Sequence, residues 1–369
     1  MVNIPYLLYR AWKILIENID FPLLLITFAI MGVGLATVYS ATFDSDHRML
    51  SQAINMGVAL LVMWTIAKIP PNKLMNYSII LYIGGLILLI GVFLFGITVN
   101  GAKRWLSIGF TRIQPSEILK IAMPMMLAWY FQKVDANLRW WHFIVASLLL
   151  AVPFLLIAKQ PDLGTAILVG ASGFFVIFFA GLPWKVIFTL IALGAGSAPL
   201  LWNMLHDYQR QRILTLLDPA SDPLGAGYHI IQSTIAIGSG GLSGKGFLHG
   251  TQTHLEFIPE KHTDFIFAVF SEEWGFIGNL VLLFLYFLLI SRGIMIAIAA
   301  QTLFSRLLAS AITMGFFTYA FINMGMVSGI LPVVGVPLPF MSYGGTALII
   351  LFVGIGILMS IQTHHSRRV

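Results

Sequence analysis

The sequence predicts an all-α polytopic membrane protein of ten transmembrane helices, with one large extracytoplasmic loop between the seventh and the eighth. Of its 369 residues 58% are hydrophobic and 10% charged, and mean hydropathy is +0.89. A soluble fold needs about a quarter of its residues charged to cover its surface, and here 21 basic and 15 acidic residues must serve the whole chain. Apolar runs of about twenty residues recur, the length that crosses a bilayer as a helix, where a spanning barrel would alternate apolar and polar at every second position. Cysteine is absent, which excludes disulfides, thiolate catalysis and cysteine-held metals. The formal net charge of +6 is thin and scattered, unlike a nucleic-acid-binding surface.

Residues 1–20 mix Arg10, Lys13, Glu17 and Asp20 with Leu7, Leu8, Trp12 and Ile14, a composition for an interfacial helix rather than a signal peptide. Ten apolar runs follow: Phe21–Ser40, Ala53–Ile69, Tyr77–Val99, Ile118–Phe131, His142–Ala158, Leu163–Leu182, Val186–Met204, Phe265–Ile290, Leu308–Ile330 and Phe340–Gln362. The fourth is the weakest, because it is about fourteen residues long, carries Lys120 and Pro124, and covers only about 20 Å of a hydrocarbon core about 30 Å thick. With all ten counted and the N-terminus inside, Arg10, Lys13, Lys68, Lys73, Lys133, Arg139, Lys185, Arg292, Arg306, Arg367 and Arg368 are cytoplasmic, a slender majority of the 21 basic residues. Acids are lopsided: only Glu17, Asp20 and Asp135 fall on the inner side, so ionisable chemistry gathers on the outer one.

Residues 205–264 contain no run long enough to cross and form the one substantial extramembrane segment of a single 1–369 membrane domain. Within it Tyr228–Gly238 is apolar but too short to span, which suits a helix lying on the bilayer. The stretch Gly238–Gly246 (GSGGLSGKG) is no phosphate loop, since Ser239 and Gly246 stand where that motif needs Gly and Ser or Thr. Its glycines read as tight turns and Lys245 as an anion contact. His249, His254 and His262 lack the i, i+4 spacing of a zinc-binding helix and read as solvated loop residues.

The richest cluster is Glu260, Lys261, His262 and Asp264, running directly into the eighth apolar run. Thr263 or Asp264 could serve as a helix N-cap. Alternatively, a carboxylate beside Lys261 and His262 is tuned as a proton acceptor. Glu272 and Glu273 follow about 12 Å further along the helix, turned about 80° and 180° from Asp264, and read as packing or partner residues. Glu117 and Lys120 share one helical face after Gln114-Pro115, and Asp162 stands at a helix entrance after Pro161. Lys103 and Arg104 with Trp105, and Arg210 and Arg212, supply outer cations. Together these residues predict an outward cavity of carboxylates and cations, open to lipid, for an amphiphilic substrate carrying phosphates. The apolar Gly329–Gly345 stretch is broken by prolines and glycines, so it either packs as a re-entrant connection or lines that cavity.

The segments NGAKRWLSIG, QPSEILK, KQPDLGTA, HDYQRQRILTLLDPASDPLGAGYHIIQS, FIPEKHTDFIFAVFSEEWG and GILPVVGVPLPFMSYGG resemble the SEDS family (shape, elongation, division and sporulation) over nearly the whole chain. HDYQRQR and LDP look more like its elongation members than its division members. The resemblance implies an inner-membrane peptidoglycan glycosyltransferase that polymerises lipid II on the periplasmic side and releases undecaprenyl pyrophosphate. It implies a class B penicillin-binding protein and other elongation-complex membrane proteins as partners, with lipid II and the nascent glycan strand as ligands. The family's essential aspartate matches Asp264, and its cavity residues match Glu117, Lys120 and Asp162. Lys103, Arg104, Lys120, Lys261, Arg210 and Arg212 are the candidate substrate-binding cations; magnesium or manganese could share that role, although no ligand set is legible. A flippase for the same precursor and a noncatalytic scaffold are the rival readings. Charges at the ends of spans rather than at the midplane favour the enzyme.

Overall fold

The computed structural model describes residues 17–42, 46–99, 102–108, 111–197, 199, 202–203, 205, 207–222, 225–255, 257–258 and 260–366. The interfacial helix expected over residues 1–20 falls mostly outside these, as do Glu256, Arg367 and Arg368. The chain is a bundle of helices: α1 (Phe21–Ala41), α2 (Asp46–Ala67), α3 (Pro71–Phe95), α4 (Pro115–Val134), α5 (Trp140–Lys159), α6 (Leu163–Phe179), α7 (Trp184–Gly196), α8 (Asp207–Leu217), α9 (Ala226–Ser239), α10 (Thr251–His254), α11 (Ile266–Ala299), α12 (Leu303–Val327) and α13 (Thr346–Ser366). Seven of them, α1, α2, α3, α5, α11, α12 and α13, are long and apolar enough to cross a membrane. The architecture is that of a helical polytopic membrane protein.

Helix α3 shows why lipid is the solvent. Leu74, Tyr82, Leu89 and Val92 are buried on one side, while Ile80, Ile83, Ile87, Ile90 and Leu94 stand exposed on the other. A helix apolar on both faces is stable only where its outer face meets hydrocarbon. Helix α4 is the opposite case. The fourth apolar run looked too short at about fourteen residues with Lys120 and Pro124 inside it, yet the helix runs the full twenty residues from Pro115 to Val134. It packs between α3, α6, α12 and α13, so its polar residues face protein, and thirteen of its residues are buried. The seventh run departs from expectation. Its helix ends at Gly196 with Ser197 as C-cap, about 20 Å long, and of the remainder read through Met204 the described residues 199, 202 and 203 are again helical.

A small sheet was not anticipated in an all-α chain. Strands β1 (Ile97–Val99), β2 (Ala102–Ile108) and β3 (Thr111–Ile113) form an antiparallel meander in that order between α3 and α4. Its pleat alternates side chains between faces, and that separates Lys103 from Arg104.

Two ties set the thickness of the bundle. Asp20 caps α1, accepting from the Leu23 amide at 2.9 Å, and is paired with Arg292 of α11 at 2.5 Å. At the other end the Ser40 hydroxyl donates to Glu273. Each pair of ties is separated by about 30 Å of helix, the thickness of a hydrocarbon core.

Helix α11 is broken just beyond the second tie, at Gly275 (φ 62°, ψ −161°), a conformation accessible to glycine alone. The glycine turns of residues 240–246 fill the break. Gly241 and Leu242 carbonyls accept from the amides of Phe276 and Ile277 at 2.9 and 3.0 Å, and the amides of Lys245 and Gly246 donate to the carbonyls of Glu272 and Glu273 at 3.0 Å each. The loop thus replaces the hydrogen bonds the helix gives up, leaving a short 266–274 segment and a 276–299 segment long enough to cross.

Candidate active site

Asp264 lies in the turn that leads into α11, and the first question is whether its carboxylate caps that helix. It does not. Phe265 occupies the N-cap position without a side-chain cap bond, and the Thr263 hydroxyl turns back to the Glu260 carbonyl and carboxylate. The backbone of the turn is fixed from behind. Asn323 of α12 donates from Nδ2 to the Asp264 carbonyl at 2.8 Å and to the Val336 carbonyl at 2.7 Å, the Ser342 hydroxyl donates to the Thr263 carbonyl at 2.7 Å, and the Tyr343 amide donates to the His262 carbonyl at 2.9 Å. The Gly329–Gly345 stretch therefore does both things proposed for it: it packs against the 262–264 turn, and its Val333, Val334 and Gly335 line a cavity in front of it.

That cavity has a volume of about 300 Å³ and is also lined by Arg104, Asp162, Arg212, His229, Glu260, Asp264 and Phe265. Asp162 caps α6, accepting from the Thr165 amide at 3.2 Å; it also accepts from Gln114 Nε2 at 2.8 Å and faces Arg104 at 3.7 Å. Arg104 reaches in from one face of β2. Gly335, at φ +72°, lies so close to Asp264 that a Cβ there would sit 3.2 Å from Oδ2. Burial pushes the Asp264 carboxyl up to about 6, the neighbouring Glu260 charge adds to the rise, and Arg104 opposes it. Among the described residues no hydrogen bond holds its ionised form, so the group is a carboxylate poised to take a proton.

Four of the predicted site residues, Arg104, Asp162, Arg212 and Asp264, thus share one cavity, and the others lie elsewhere. Lys103 projects from the opposite face of β2 and donates to the Phe93 carbonyl at the end of α3, at 2.8 Å. Arg210 is turned away to the Trp202 and Asn203 carbonyls. Lys261 donates to the Thr253 carbonyl at 3.0 Å, which ties the Asp264 turn to α10. Glu117 and Lys120 form a buried ion pair at 2.6 Å within α4, with the ammonium 5.2 Å from the centre of the Tyr319 ring. Neither lines the Asp264 cavity, and Lys120 borders a separate small void with Tyr319.

Two further readings change. Lys245, read as an anion contact, pairs with the fully buried Glu272 at 2.7 Å. His262 is no solvated loop residue: it is half-buried against the Tyr343 ring, with Nδ1 enclosed. His229, Phe265 and Gly335 are cavity residues that sequence reasoning passed over. The signal for His229 was its place in the short helix α9, expected to lie on lipid. Instead Ile230, Ser233 and Ala236 are buried, with the Ser233 hydroxyl on the Val327 carbonyl at 2.9 Å, so α9 is docked on the bundle and carries His229 to the cavity rim.

The profile of the FtsW, RodA and SpoVE cell cycle proteins matches residues 20–367. The peptidoglycan glycosyltransferase MrdB of Escherichia coli strain K12 is 52% identical over 348 residues, covering 94% of each chain. Among solved structures, a chain of a peptidoglycan synthase complex, described as coordinating polymerization and crosslinking, superposes with a TM-score of 0.81 at 34% identity, over 94% of this chain and 98% of that one. The rod shape determining protein RodA of Thermus thermophilus does so with a TM-score of 0.71 at 28% identity, over 93% and 96%. On sequence and structure together, the chain belongs to the SEDS family of FtsW, RodA and SpoVE cell cycle proteins.

Proposed function

We propose that the chain is a peptidoglycan glycosyltransferase that polymerises lipid II into glycan strands during cell elongation, with Asp264 as its general base. The observation that carries this reading is an uncapped carboxylate in a cavity shared with Arg104 and Arg212. The 4-hydroxyl of the acceptor N-acetylglucosamine gives its proton to Asp264 as its oxygen bonds to the anomeric carbon of the lipid-linked N-acetylmuramic acid. The bond from that carbon to the pyrophosphate oxygen breaks, and the electron pair leaves with undecaprenyl pyrophosphate. Because this leaving group is already activated, no general acid is required. The guanidinium groups of Arg104 and Arg212 balance the charge that grows on it, and Asp264 then returns its proton to water. Glu117 and Lys120, paired with each other inside α4, are outside the lining of this cavity.

In this reading all ten apolar helices, including the shorter α4, α6 and α7, take part in one membrane unit spanning residues 1–369. Residues 205–264 form its extracytoplasmic loop, the Asp264 end faces the periplasm, and the bilayer is the bacterial inner membrane. The concentration of acids at that end supports this orientation. The partner is a class B penicillin-binding protein, with other elongation-complex membrane proteins around it; the likeness to a synthase complex supports that assignment. Among the described residues no three His, Asp or Glu side chains converge on a metal site; a magnesium or manganese ion carried by the pyrophosphate shares the phosphate charge in this reading. Chelation during turnover tests its part.

Purified protein incubated with lipid II and a crosslinking-inactive partner is expected to make long glycan strands, and the Asp264→Asn variant none. Strands of wild-type length from the variant would remove Asp264 from the mechanism. Lipid II scrambling in liposomes without any strands would replace the polymerase with a flippase.

A further inference from the structure

His229 has no place in the scheme above, yet it stands on the rim of the same cavity as Asp264. Its ring lies nearly parallel to Phe265, the residue after Asp264, with centroids 5.6 Å apart and an interplanar angle of 18°. Nδ1 is enclosed and meets no hydrogen-bond partner, whereas the ring as a whole is half-buried. The open edge is therefore the one that bears Nε2.

These contacts choose the protonation state. An imidazolium would place an N–H on the enclosed Nδ1 with no acceptor, which costs far more than leaving a bare ring nitrogen there. The ring is accordingly neutral with its proton on Nε2, the tautomer these contacts favour. Burial lowers the affinity of the ring for a second proton, against the opposing pull of Glu260 and Asp222. The cavity thus contains one uncharged N–H donor among carboxylates and guanidinium groups. A guanidinium recognises phosphate; a neutral donor held flat on an aromatic ring suits a sugar, whose oxygens are uncharged acceptors and whose C–H face packs on rings.

We propose that His229 is a substrate-positioning residue, donating from Nε2 to an oxygen of the acceptor sugar next to the attacking hydroxyl and so turning that hydroxyl towards the Asp264 carboxylate. The proposal rests on the glycosyltransferase reading. It divides the cavity into a phosphate wall (Arg104 and Arg212) and a sugar wall (His229 on Phe265).

Two substitutions separate the hydrogen bond from the packing. His229→Gln keeps an uncharged N–H donor and loses the stacked ring; His229→Phe keeps the ring and loses the donor. With lipid II as substrate and the partner present, His229→Phe is expected to lower kcat/KM about tenfold, the effect of one lost uncharged hydrogen bond. His229→Gln should stay within about threefold of wild type. Both should melt with the wild type, and both should retain the fall in rate below about pH 6 that Asp264 sets. Wild-type rates in His229→Phe would overturn the proposal, because stacking alone would then suffice. Equal losses in both variants would also overturn it, since the ring itself would be needed. Absence of strands from the wild-type protein would instead refute the polymerase reading, and this control is scored first.

Discussion

Two carboxylates eight residues apart, Asp264 and Glu272, are placed by the same helix and treated in opposite ways. Glu272 is fully buried and saturated: Lys245 at 2.7 Å, the Gln252 amide at 2.9 Å, the Thr253 amide at 3.2 Å, and the hydroxyls of Thr251 and Thr253 at 3.2 and 3.0 Å all donate to it. Asp264 borders a cavity, and among the described residues no donor holds its charge. Burial alone therefore does not distinguish structure from chemistry. What distinguishes them is whether the charged form has been satisfied by the protein or left for something that arrives.

The contrast is broken most sharply by Asp264→Asn, which is nearly isosteric. Strand synthesis is expected to drop by about 10²–10⁴-fold, with a thermal midpoint at neutral pH no lower than that of the wild type, as judged by glycan gels and a melting scan. Glu272→Ala should give the inverse result. Removing the acceptor from a buried pair and two backbone amides is expected to cost on the order of 3–5 kcal/mol, read as lost membrane yield and a lower melting temperature. Any activity deficit should follow the folded fraction, and a stable but inactive Glu272→Ala protein would blur the distinction drawn here.

Acidification sharpens it further. A base must be ionised, so the rate should fall about tenfold per pH unit below about 6 and level off above it. Stability runs the other way for this group. Its folded-state pKa is raised, so the folded protein binds the proton more tightly than the unfolded chain, and that stabilisation, complete below the ordinary value of 3.8, is lost as pH rises through about 6. Asp264→Asn should therefore lose this pH dependence of the melting temperature. Arg104→Ala is expected to raise KM for lipid II about tenfold through the loss of one phosphate contact, and Arg104→Lys to recover part of that. Gly335→Ala should have the smallest effect on stability, about 1 kcal/mol for a side chain at positive φ, yet its methyl 3.2 Å from Asp264 Oδ2 should slow turnover measurably.

How much could be read in advance depends on what each residue type needs. Helix positions followed from apolar length, because lipid rewards nothing else, and α4 was underestimated for the same reason: a central helix is spared contact with lipid and may hold Glu117 and Lys120. Asp264 and Asp162 were legible as short acids at helix entrances. Lys103, Arg210 and Lys261 were misplaced because a long cation takes whichever carbonyl or phosphate the tertiary fold brings near, and sequence does not show that choice. The pleat that sends Arg104 inward and Lys103 outward required knowing that residues 102–108 form a strand. The break at Gly275 was hidden inside the Phe265–Ile290 run, and the turns of residues 240–246 were visible without what they pack on.

That splice has a mechanical consequence. Because the loop of residues 240–246 is hydrogen-bonded on both sides of Gly275, the angle between the 266–274 stub and the 276–299 rod is fixed by backbone that belongs to neither. The turn that carries the Asp264 carboxylate is anchored separately, to α12 and the 336–343 wall, so three distant parts of the chain converge on the position of one side chain.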